Sequence, residues 1–306
     1  MGDEIKIKPV RDLTALQIAS FLGAELVGQD YPIKTATPFA APADYAITFS
    51  KNKLTGDFFP GIHNTCIITS AIPDVPGAHA YIIVDNPRLA FAKVLAEFFV
   101  ERKKAGIGQF TIIDPTAKIG KDVIIGNGCT IGRNVEIGDY TEIHNNVVLA
   151  NGVKVGNYCR LKSNSVIGEK GFGFPFAEDG TPVELPHLAS VRIADYVEIG
   201  ALNTVVGGAL SDTIIHSHVK TDDHVHIAHN CEIGARTVIT ACSEISGSVK
   251  IGERCWLSPN CSIMNKINIG DDCFIGLGAV VLKDVPSGAV MVGNPAKILR
   301  IAPVEL

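Results

Sequence analysis

The feature that most constrains this chain is an aliphatic residue at every sixth position of its central part. The period starts at Ile113, slips after Ile167 and Val205, and resumes at Ile215, with only Thr221 interrupting the second run. The aliphatic positions are Ile113, Ile119, Ile125, Ile131, Ile137, Ile143, Leu149, Val155, Leu161, Ile167, Ile193, Ile199, Val205, Ile215, Ile227, Ile233, Ile239, Ile245, Ile251, Leu257, Ile263, Ile269, Ile275 and Val281. A period of six fits neither an α-helix nor a continuously alternating strand, so it predicts short strands separated by corners.

A six-residue unit is too short to bury its aliphatic side chain alone, so its repetition predicts a solenoid with the aliphatics stacked inside. Glycine often follows the aliphatic residue. Six of the eight cysteines fall four residues after it: Cys129, Cys159, Cys231, Cys255, Cys261 and Cys273. No C-x-x-C pair is present, and we interpret these cysteines as small packing residues at corners rather than metal ligands or disulfide partners.

This pattern resembles the hexapeptide-repeat family, whose fold is a left-handed parallel β-helix with about three hexapeptides in each coil. The resemblance implies a mainly β protein in which residues about eighteen apart stack on neighbouring coils. We therefore expect a β-helix over residues 106–285, interrupted by a loop at 168–192, which is rich in glycine and proline.

The flanking regions lack the repeat. Residues 1–105 combine a capped amphipathic helix from Asp12, short apolar runs at 45–49, 66–69 and 80–84, and a second helix from Asn86. This alternation predicts a small α/β domain. Residues 286–306 are expected to form a C-terminal closing segment.

Bulk properties narrow the possible partners. The net charge of −5 argues against nucleic acid, which normally binds a basic surface. The N-terminus has no apolar stretch of signal-peptide type, and no run is long enough to span a bilayer. The expected location is the cytoplasm.

The most polar cluster within the repeat runs from Thr221 to Asn230. An amine that attacks a thioester must lose a proton, and histidine is the usual general base near neutral pH. His229 is our candidate base, with Asp222 and Asp223, one hexapeptide earlier, as candidate orienting carboxylates. Gly247 lies eighteen residues later, where its unobstructed backbone N–H would stabilise the oxyanion.

Two other readings stay open at this point. His224 and His226 alternate along the chain, as do His216 and His218, and such pairs are able to bind a metal. One branch of the hexapeptide-repeat family, the γ-class carbonic anhydrases, uses histidine ligands across a trimer interface, so a zinc-dependent hydratase is one alternative. A catalytically inactive scaffold is another.

Several segments resemble the UDP-3-O-acylglucosamine N-acyltransferases, which act in the synthesis of lipid A. Lipid A is the lipid anchor of lipopolysaccharide. The segments are Gly168–Phe174, Pro186–Leu188, Val197–Thr204, Gly208–Thr213 and above all Ile227-Ala-His-Asn230. The resemblance implies that His229 is the catalytic base, that Asp222 is its partner and that Gly247 holds the oxyanion. It also implies a homotrimer with active sites between subunits. Phe172 and Phe174, in the loop, and Asn230 are candidate substrate-binding residues.

The resemblance extends to the N-terminal domain, where Ala43-Asp44 is followed by Phe49 and Asn52 as in the uridine-binding domain of that family. Phe49 would stack on the base and Asn52 would hydrogen-bond to it.

Three positions depart from the family pattern. Thr55 replaces a tyrosine, Val205-Val-Gly207-Gly208 replaces an Asp-Arg-Gly, and Lys266 replaces a second histidine. Lys266 would meet a phosphate or carboxylate of the substrate as a point charge.

The C-terminal stretch 276–297 resembles hexapeptide acetyltransferases that use coenzyme A. That resemblance implies that Gly293, Asn294, Pro295 and Lys297 line a groove for pantetheine. The lipid A enzymes instead end in helices that help to receive acyl carrier protein. We therefore predict an N-acyltransferase that acylates the amine of a nucleotide-linked amino sugar, with no bound cofactor or metal. The donor is either acyl-CoA, giving a short-chain N-acetyltransferase for surface polysaccharide, or acyl carrier protein.

Overall fold

The computed structural model describes residues 12–52, 54, 59, 61–73, 78–101 and 103–301. The chain divides into two compact units, which span residues 1–103 and 104–306.

The first unit is a small α/β unit. Its helices are α1 (Ala15–Leu22) and α2 (Pro87–Val94), and a π-helical turn, Leu95–Phe99, continues α2. Its strands are β1 (Glu25–Val27), β2 (Thr35–Ala36), β3 (Ala46–Phe49), β4 (Cys66–Thr69) and β5 (Ala80–Ile83). They form one sheet in the order β1-β5-β4-β3-β2, in which only β1 is antiparallel to its neighbour. None of the helices in the described ranges is long and apolar enough to cross a membrane.

Local signals explain these elements. Thr14 and Gln17 form a reciprocal capping box at the start of α1, and the Asn86 side chain accepts the Leu89 N–H at the start of α2. Both predicted helices and all three predicted strands are confirmed. β1 and β2 were not predicted, because they are two or three residues long and largely exposed and so carry no clear alternation.

The second unit is a parallel β-helix with three faces. Face 1 has nine strands: Ile112–Ile113, Thr130–Ile131, Val148–Leu149, Val166–Ile167, Thr204–Val205, His226–Ile227, Glu244–Ile245, Ser262–Ile263 and Val280–Val281. Face 2 has eight: Lys118–Ile119, Glu136–Ile137, Lys154–Val155, Val191–Ile193, Thr213–Ile215, Glu232–Ile233, Lys250–Ile251 and Asn268–Ile269. Face 3 has eleven: Gly106–Ile107, Ile124–Ile125, Glu142–Ile143, Arg160–Leu161, Glu198–Ile199, Lys220–Thr221, Val238–Ile239, Trp256–Leu257, Phe274–Ile275, Ala289–Val292 and Lys297–Ile301.

Each coil passes from face 1 to face 2 to face 3, so three hexapeptides complete one turn. We call the bends after faces 1, 2 and 3 the first, second and third corners. Neighbouring coils pair in parallel with residues eighteen apart opposite each other, as Ile227 is opposite Ile245 and Ile245 is opposite Ile263. The stacking interval predicted from the repeat is therefore confirmed.

The aliphatic residue of each unit points inward. Ile239, Ile245 and Leu257 are fully buried within one continuous core, while the preceding strand residue faces outward. Because each coil covers the next, this burial is the main stabilising contribution in the solenoid.

The six cysteines at the corners are buried and unpaired, as predicted. The Cys231 thiol donates to the carbonyl of Ser246 on the next coil, at 3.2 Å. Burial raises the pKa of Cys159 and of Cys231 to about 11, so these thiols are poor nucleophiles at neutral pH.

Thr221 occupies an inward position without an aliphatic side chain. Its Oγ1 accepts hydrogen bonds from Asn203 Nδ2 at 2.6 Å and from the Gly200 N–H at 3.0 Å. The buried hydroxyl is thus satisfied, and the coil keeps its register through polar contacts.

Two segments interrupt or end the helix. Residues 168–190 leave the first corner as a hairpin, tied by Leu185 N–H to Gly173 O at 2.9 Å and by Val183 N–H to Pro175 O at 2.8 Å. The predicted loop 168–192 ends earlier, because Val191 and Arg192 belong to a strand of face 2. At the other end, Lys297–Ile301 turns back antiparallel to Ala289–Val292.

Candidate active site

Three predicted site residues lie on successive coils of the first corner. The Ser248 N–H donates to His229 O at 2.9 Å, and the Lys266 N–H donates to Gly247 O at 3.0 Å. The hairpin 168–190 leaves the solenoid at the same corner. This corner therefore brings together the candidate base, the candidate oxyanion donor and the one large insertion.

The imidazole of His229 is held by its neighbour in sequence. Its Nδ1 lies 3.0 Å from Asn230 Oδ1. An amide oxygen only accepts, so Nδ1 carries the proton and Nε2 of the neutral ring keeps a free lone pair. Nε2 is therefore the atom that is able to take a proton from a substrate.

The orientation of the Asn230 amide is fixed independently by the turn at 207–212. Asn230 Nδ2 donates to the carbonyl oxygen of Ser211 at 2.8 Å and lies 3.0 Å from its hydroxyl. Asn230 Oδ1 accepts the Ala209 N–H at 3.2 Å. A Cβ at Gly208 would collide with Ser211 O, so glycine is required for this close approach.

The His229 ring lies against Gly247. A Cβ at Gly247 would lie 2.7 Å from both Cε1 and Nε2 of the imidazole, closer than any real side chain could approach. The backbone N–H of Gly247 has no acceptor among the described residues. At the corresponding position of an earlier coil, the Arg133 N–H is capped by Asn151 Oδ1 at 2.8 Å. Gly247 therefore both contacts the His229 ring and has a backbone N–H that is free to bind an oxyanion.

The hairpin contacts the base from the other side. A Cβ at Gly171 would lie 2.9 Å from His229 Cβ and 2.6 Å from His187 Nε2. The rings of His187 and His229 are 5.4 Å apart between centroids and meet at 74°. His229 is thus enclosed by Asn230, Gly247 and the hairpin.

The two phenylalanines of the hairpin form an edge-to-face pair with a centroid distance of 4.9 Å. Phe172 is 86% exposed and Phe174 is 40% exposed. Phe172 directly follows Gly171, which packs against His229, and Phe174 is two residues further along the hairpin.

Asp222 and Asp223 do not contact His229 within one chain. They lie on the third corner, and the strand His226–Ile227 of face 1 separates them from the first corner. Asp223 Oδ1 instead accepts the Ala201 N–H at 2.8 Å, and the Asp222 side chain is exposed. The hypothesis that these carboxylates orient the base fails for a single chain, because one hexapeptide is a third of a coil rather than a whole one.

The predicted histidine pairs do not form. His224 lies on the third corner and His226 on face 1, so a bend separates their side chains. His216 is hydrogen-bonded to Glu232 at 3.0 Å, whereas the His218 ring stacks on Tyr196 at 4.8 Å. The alternation expected for a continuous strand is broken, because strands here are mostly two residues long.

Lys266 and the C-terminal segment occupy different corners. The Lys266 side chain is exposed on the first corner, one coil beyond Gly247. The turn Gly293-Asn294-Pro295 is beside Val280, whose N–H donates to Gly293 O at 3.0 Å. Because this turn follows the face 3 strand Ala289–Val292 and is beside the start of the face 1 strand Val280–Val281, it lies at the third corner, from which the chain returns to face 3. Lys297 is exposed at the start of the last strand.

Phe49 and Asn52 belong to the first unit. Phe49 is half-buried at the end of β3, and its ring packs on Phe91 at a centroid distance of 5.0 Å. Asn52 is exposed, and its backbone N–H donates to Ser50 Oγ at 3.3 Å. Thr55, the departure noted in the sequence, lies outside the described residues.

Four residues around the base were not predicted as part of its surroundings: Gly171, His187, Ala209 and Ser211. They lie in an insertion and an irregular turn, where the six-residue phase is lost. The two losses of phase, after Ile167 and after Val205, both precede the polar cluster and were themselves the available signal.

Comparisons with known proteins agree with the repeat. The pattern of the bacterial transferase hexapeptide family (six repeats) matches residues 212–247 and 248–283. That of the GMPPB C-terminal domain matches residues 107–171. A solved UDP-N-acetylglucosamine acyltransferase from Francisella novicida superposes with a TM-score of 0.59 at 26% identity, covering 64% of this chain and 70% of that one. The left-handed parallel β-helix predicted from the sequence is confirmed.

Two curated relatives match along most of their length. The UDP-3-O-acylglucosamine N-acyltransferase of Pseudomonas aeruginosa (strain LESB58) is 38% identical over 253 residues, covering 76% of this chain and 71% of the relative. UDP-3-O-acylglucosamine N-acyltransferase 1 of Francisella tularensis (strain SCHU S4) is 48% identical over 235 residues, covering 70% and 68%. The chain is therefore an acyltransferase, and it belongs to the UDP-3-O-acylglucosamine N-acyltransferase family.

Proposed function

We propose that this protein transfers an acyl group from a thioester to the amine of a UDP-linked amino sugar, UDP-3-O-acylglucosamine being the nearest known acceptor. The observation that carries this proposal is the geometry at the first corner. His229 presents a bare Nε2 beside Gly247, whose backbone N–H is uncapped.

The reaction needs a base, an oxyanion donor and a proton for the leaving group. As the amine attacks the thioester carbonyl, His229 Nε2 takes its proton, and the Gly247 N–H stabilises the negative charge on oxygen. When the tetrahedral intermediate collapses, the C–S bond breaks and the imidazolium returns its proton to the thiolate. The amide and the free thiol are the products, and no bound metal or covalent enzyme intermediate takes part.

Asn230 takes the role that the sequence suggested for an aspartate. Its amide oxygen holds the imidazole tautomer and stabilises the proton on Nδ1 as the ring becomes charged. Asp222 and Asp223 reach the site, in our proposal, from a neighbouring subunit of a homotrimer. The third corner, which carries them, also carries Gly293, Asn294 and Pro295, so one neighbour would supply both the carboxylates and the donor groove.

Family membership favours acyl transfer over the zinc hydratase. Within the described ranges no group of three or more His, Cys, Asp or Glu side chains is arranged to hold a metal ion.

The stretch 276–297 favours one donor. It resembles hexapeptide acetyltransferases that use coenzyme A, and its residues 293–295 form an exposed turn at the third corner. We therefore infer acyl-CoA as the donor. Gly293, Asn294, Pro295 and Lys297 would contact pantetheine, and Lys266 would meet an anionic group of a substrate. The cytoplasm remains the expected location.

The test is an assay of the purified protein with UDP-3-O-acylglucosamine and two donors, acetyl-CoA and hydroxyacyl carrier protein, with mass spectrometry of the product. Calorimetry against each donor accompanies it. An N-acylated product from acetyl-CoA supports the whole proposal. Product from the carrier protein alone would keep the acyl transfer and overturn the donor, whereas no product from either donor would overturn the function.

Asn230→Ala is expected to lower kcat by about 10- to 100-fold with little change in KM, because the charge-assisted hydrogen bond to Nδ1 strengthens as the imidazolium forms. The matched control is Asn134→Ala. Asn134 has a similar left-handed backbone, with φ of 56° against 58° at Asn230, and lies at the same position of the first corner on a distant coil. Equal losses in the two variants would mean that the backbone cost of alanine, rather than the amide, explains the effect.

Phe49→Ala is expected to weaken UDP binding by about three- to tenfold, because a stacked aromatic contact with the uracil would be lost. Calorimetry with UDP measures the effect. Phe21→Ala is the control, since Phe21 also belongs to an aromatic pair of the first unit, with Phe98 at 5.2 Å. An unchanged UDP affinity in Phe49→Ala would remove Phe49 from the nucleotide site.

A further inference from the structure

His187 is the second imidazole at the first corner, and the proposed reaction gives it no role. The hairpin 168–190 carries it, and its ring meets that of His229 at 74° with 5.4 Å between centroids. Both strands of the hairpin are tied to each other, and its end is tied to the turn that holds Asn230 through Leu188 N–H to Ala209 O at 2.8 Å. His187 is therefore fixed relative to the base.

The tautomer of His187 is also fixed. Its Nδ1 lies 2.9 Å from the carbonyl oxygen of Leu185, which only accepts, so Nδ1 carries the proton of the neutral ring. The lone pair is then on Nε2. This Nε2 is buried and has no hydrogen-bond donor among the described residues.

The bare Nε2 lies close to the base. A Cβ on Gly171 would be 2.6 Å from His187 Nε2, 3.0 Å from His187 Cδ2 and 2.9 Å from His229 Cβ. Gly171 is thus in close contact with two groups, the Nε2 edge of His187 and the side chain of His229. The atom that carries the lone pair of His187 is therefore close to the His229 side chain, and the two ring centroids are 5.4 Å apart.

A buried acceptor without a donor costs free energy, and at a functional site such an atom calls for an explanation. His229 is neutral before the reaction and positively charged in the transition state. A fixed partial negative charge beside it interacts weakly with the first state and strongly with the second.

We propose that His187 is a positioning residue that acts through His229, stabilising its imidazolium with the Nε2 lone pair. This inference rests on the proposed function, because it requires His229 to become charged during acyl transfer. Because His187 acts in this inference on the base and not on either substrate, it is expected to change kcat and not KM.

Two substitutions distinguish the effect of the Nε2 lone pair from the effect of the ring's size. His187→Phe keeps an aromatic ring against His229 and removes the acceptor, whereas His187→Gln keeps an acceptor oxygen at similar reach. We expect His187→Phe to lower kcat about tenfold with KM within about twofold, the size of one lost charge-assisted interaction. His187→Gln should keep kcat within about threefold.

The closing experiment measures kcat and KM of both variants, each also in a His229→Ala background, with the acceptor and donor that give turnover. In that background the Phe substitution should cause no further loss, because there is no imidazolium to stabilise. Wild-type kcat in His187→Phe, equal losses in the Phe and Gln variants, or a loss confined to KM would each overturn the inference. Failure of the proposed function would appear separately, as full activity in His229→Ala alone.

Discussion

His229→Ala is expected to lower kcat by about 10²- to 10⁴-fold, the usual contribution of a positioned general base. The nucleophile is an amine that must lose a proton, and Nε2 of His229 is the bare lone pair beside the oxyanion donor. Steady-state kinetics of acyl transfer measure the effect. Binding of UDP should stay within about twofold of the wild type, because the uridine contacts are assigned to the first unit.

His216→Ala is the matched control for this substitution. His216 lies on the second corner, which the proposal leaves without a role, and its ring is hydrogen-bonded to Glu232. Its kcat should be unchanged. A His229→Ala enzyme with wild-type kcat and an unchanged melting temperature would end the proposal for this base.

The surroundings of the other histidines explain why His229 is singled out. The side chains of His216, His218 and His226 are engaged with Glu232, Tyr196 and Thr204 respectively, and those contacts lie away from the first corner. Among the histidines of the described ranges, His229 alone has its Nδ1 held by the side-chain amide of an asparagine while its ring lies against Gly247. Sequence spacing alone paired His229 with Gly247 and left the other histidines as candidate metal ligands.

The period of six predicted nearly all of the solenoid, because each inward aliphatic is a local requirement repeated coil by coil. Ile227, Ile245 and Ile263 are opposite one another in the structure as their spacing demanded. The same logic paired His229 with Gly247. Stacking over eighteen residues is a property of whole coils, so it could be predicted without knowing any corner in detail.

The contacts that the sequence did not predict are formed by residues of the corners and of the irregular segments. Asp222 is one hexapeptide before the base and therefore faces a different corner, whereas Asn230, the adjacent residue, reaches Nδ1 directly. The amide is held by Ser211 and Ala209, in a turn without the repeat. Such contacts arise from irregular backbone geometry, for which the sequence offers no periodic signal.

Gly247→Ala keeps the backbone N–H but is expected to lower kcat by about 10²- to 10³-fold, as much as the loss of one oxyanion donor, because the added methyl obstructs the site. The added methyl would lie 2.7 Å from His229 Nε2 and Cε1, so the ring must move or the coil must shift. Either response displaces the base and crowds the backbone N–H. The stability of the solenoid should change little, since the backbone of Gly247 is not in the left-handed region that favours glycine.

Gly106→Ala is the control for adding a methyl to a solenoid glycine, because a Cβ there would meet nothing within 4 Å. The informative comparison is Gly247→Ala in the His229→Ala background. Without a ring to displace, any remaining loss reports how far the methyl obstructs access of the oxyanion to the backbone N–H, and the difference between backgrounds reports the position of the base. If Gly247→Ala kept wild-type kcat, neither role would hold. A loss that was the same in both backgrounds would assign Gly247 to the oxyanion and not to holding His229.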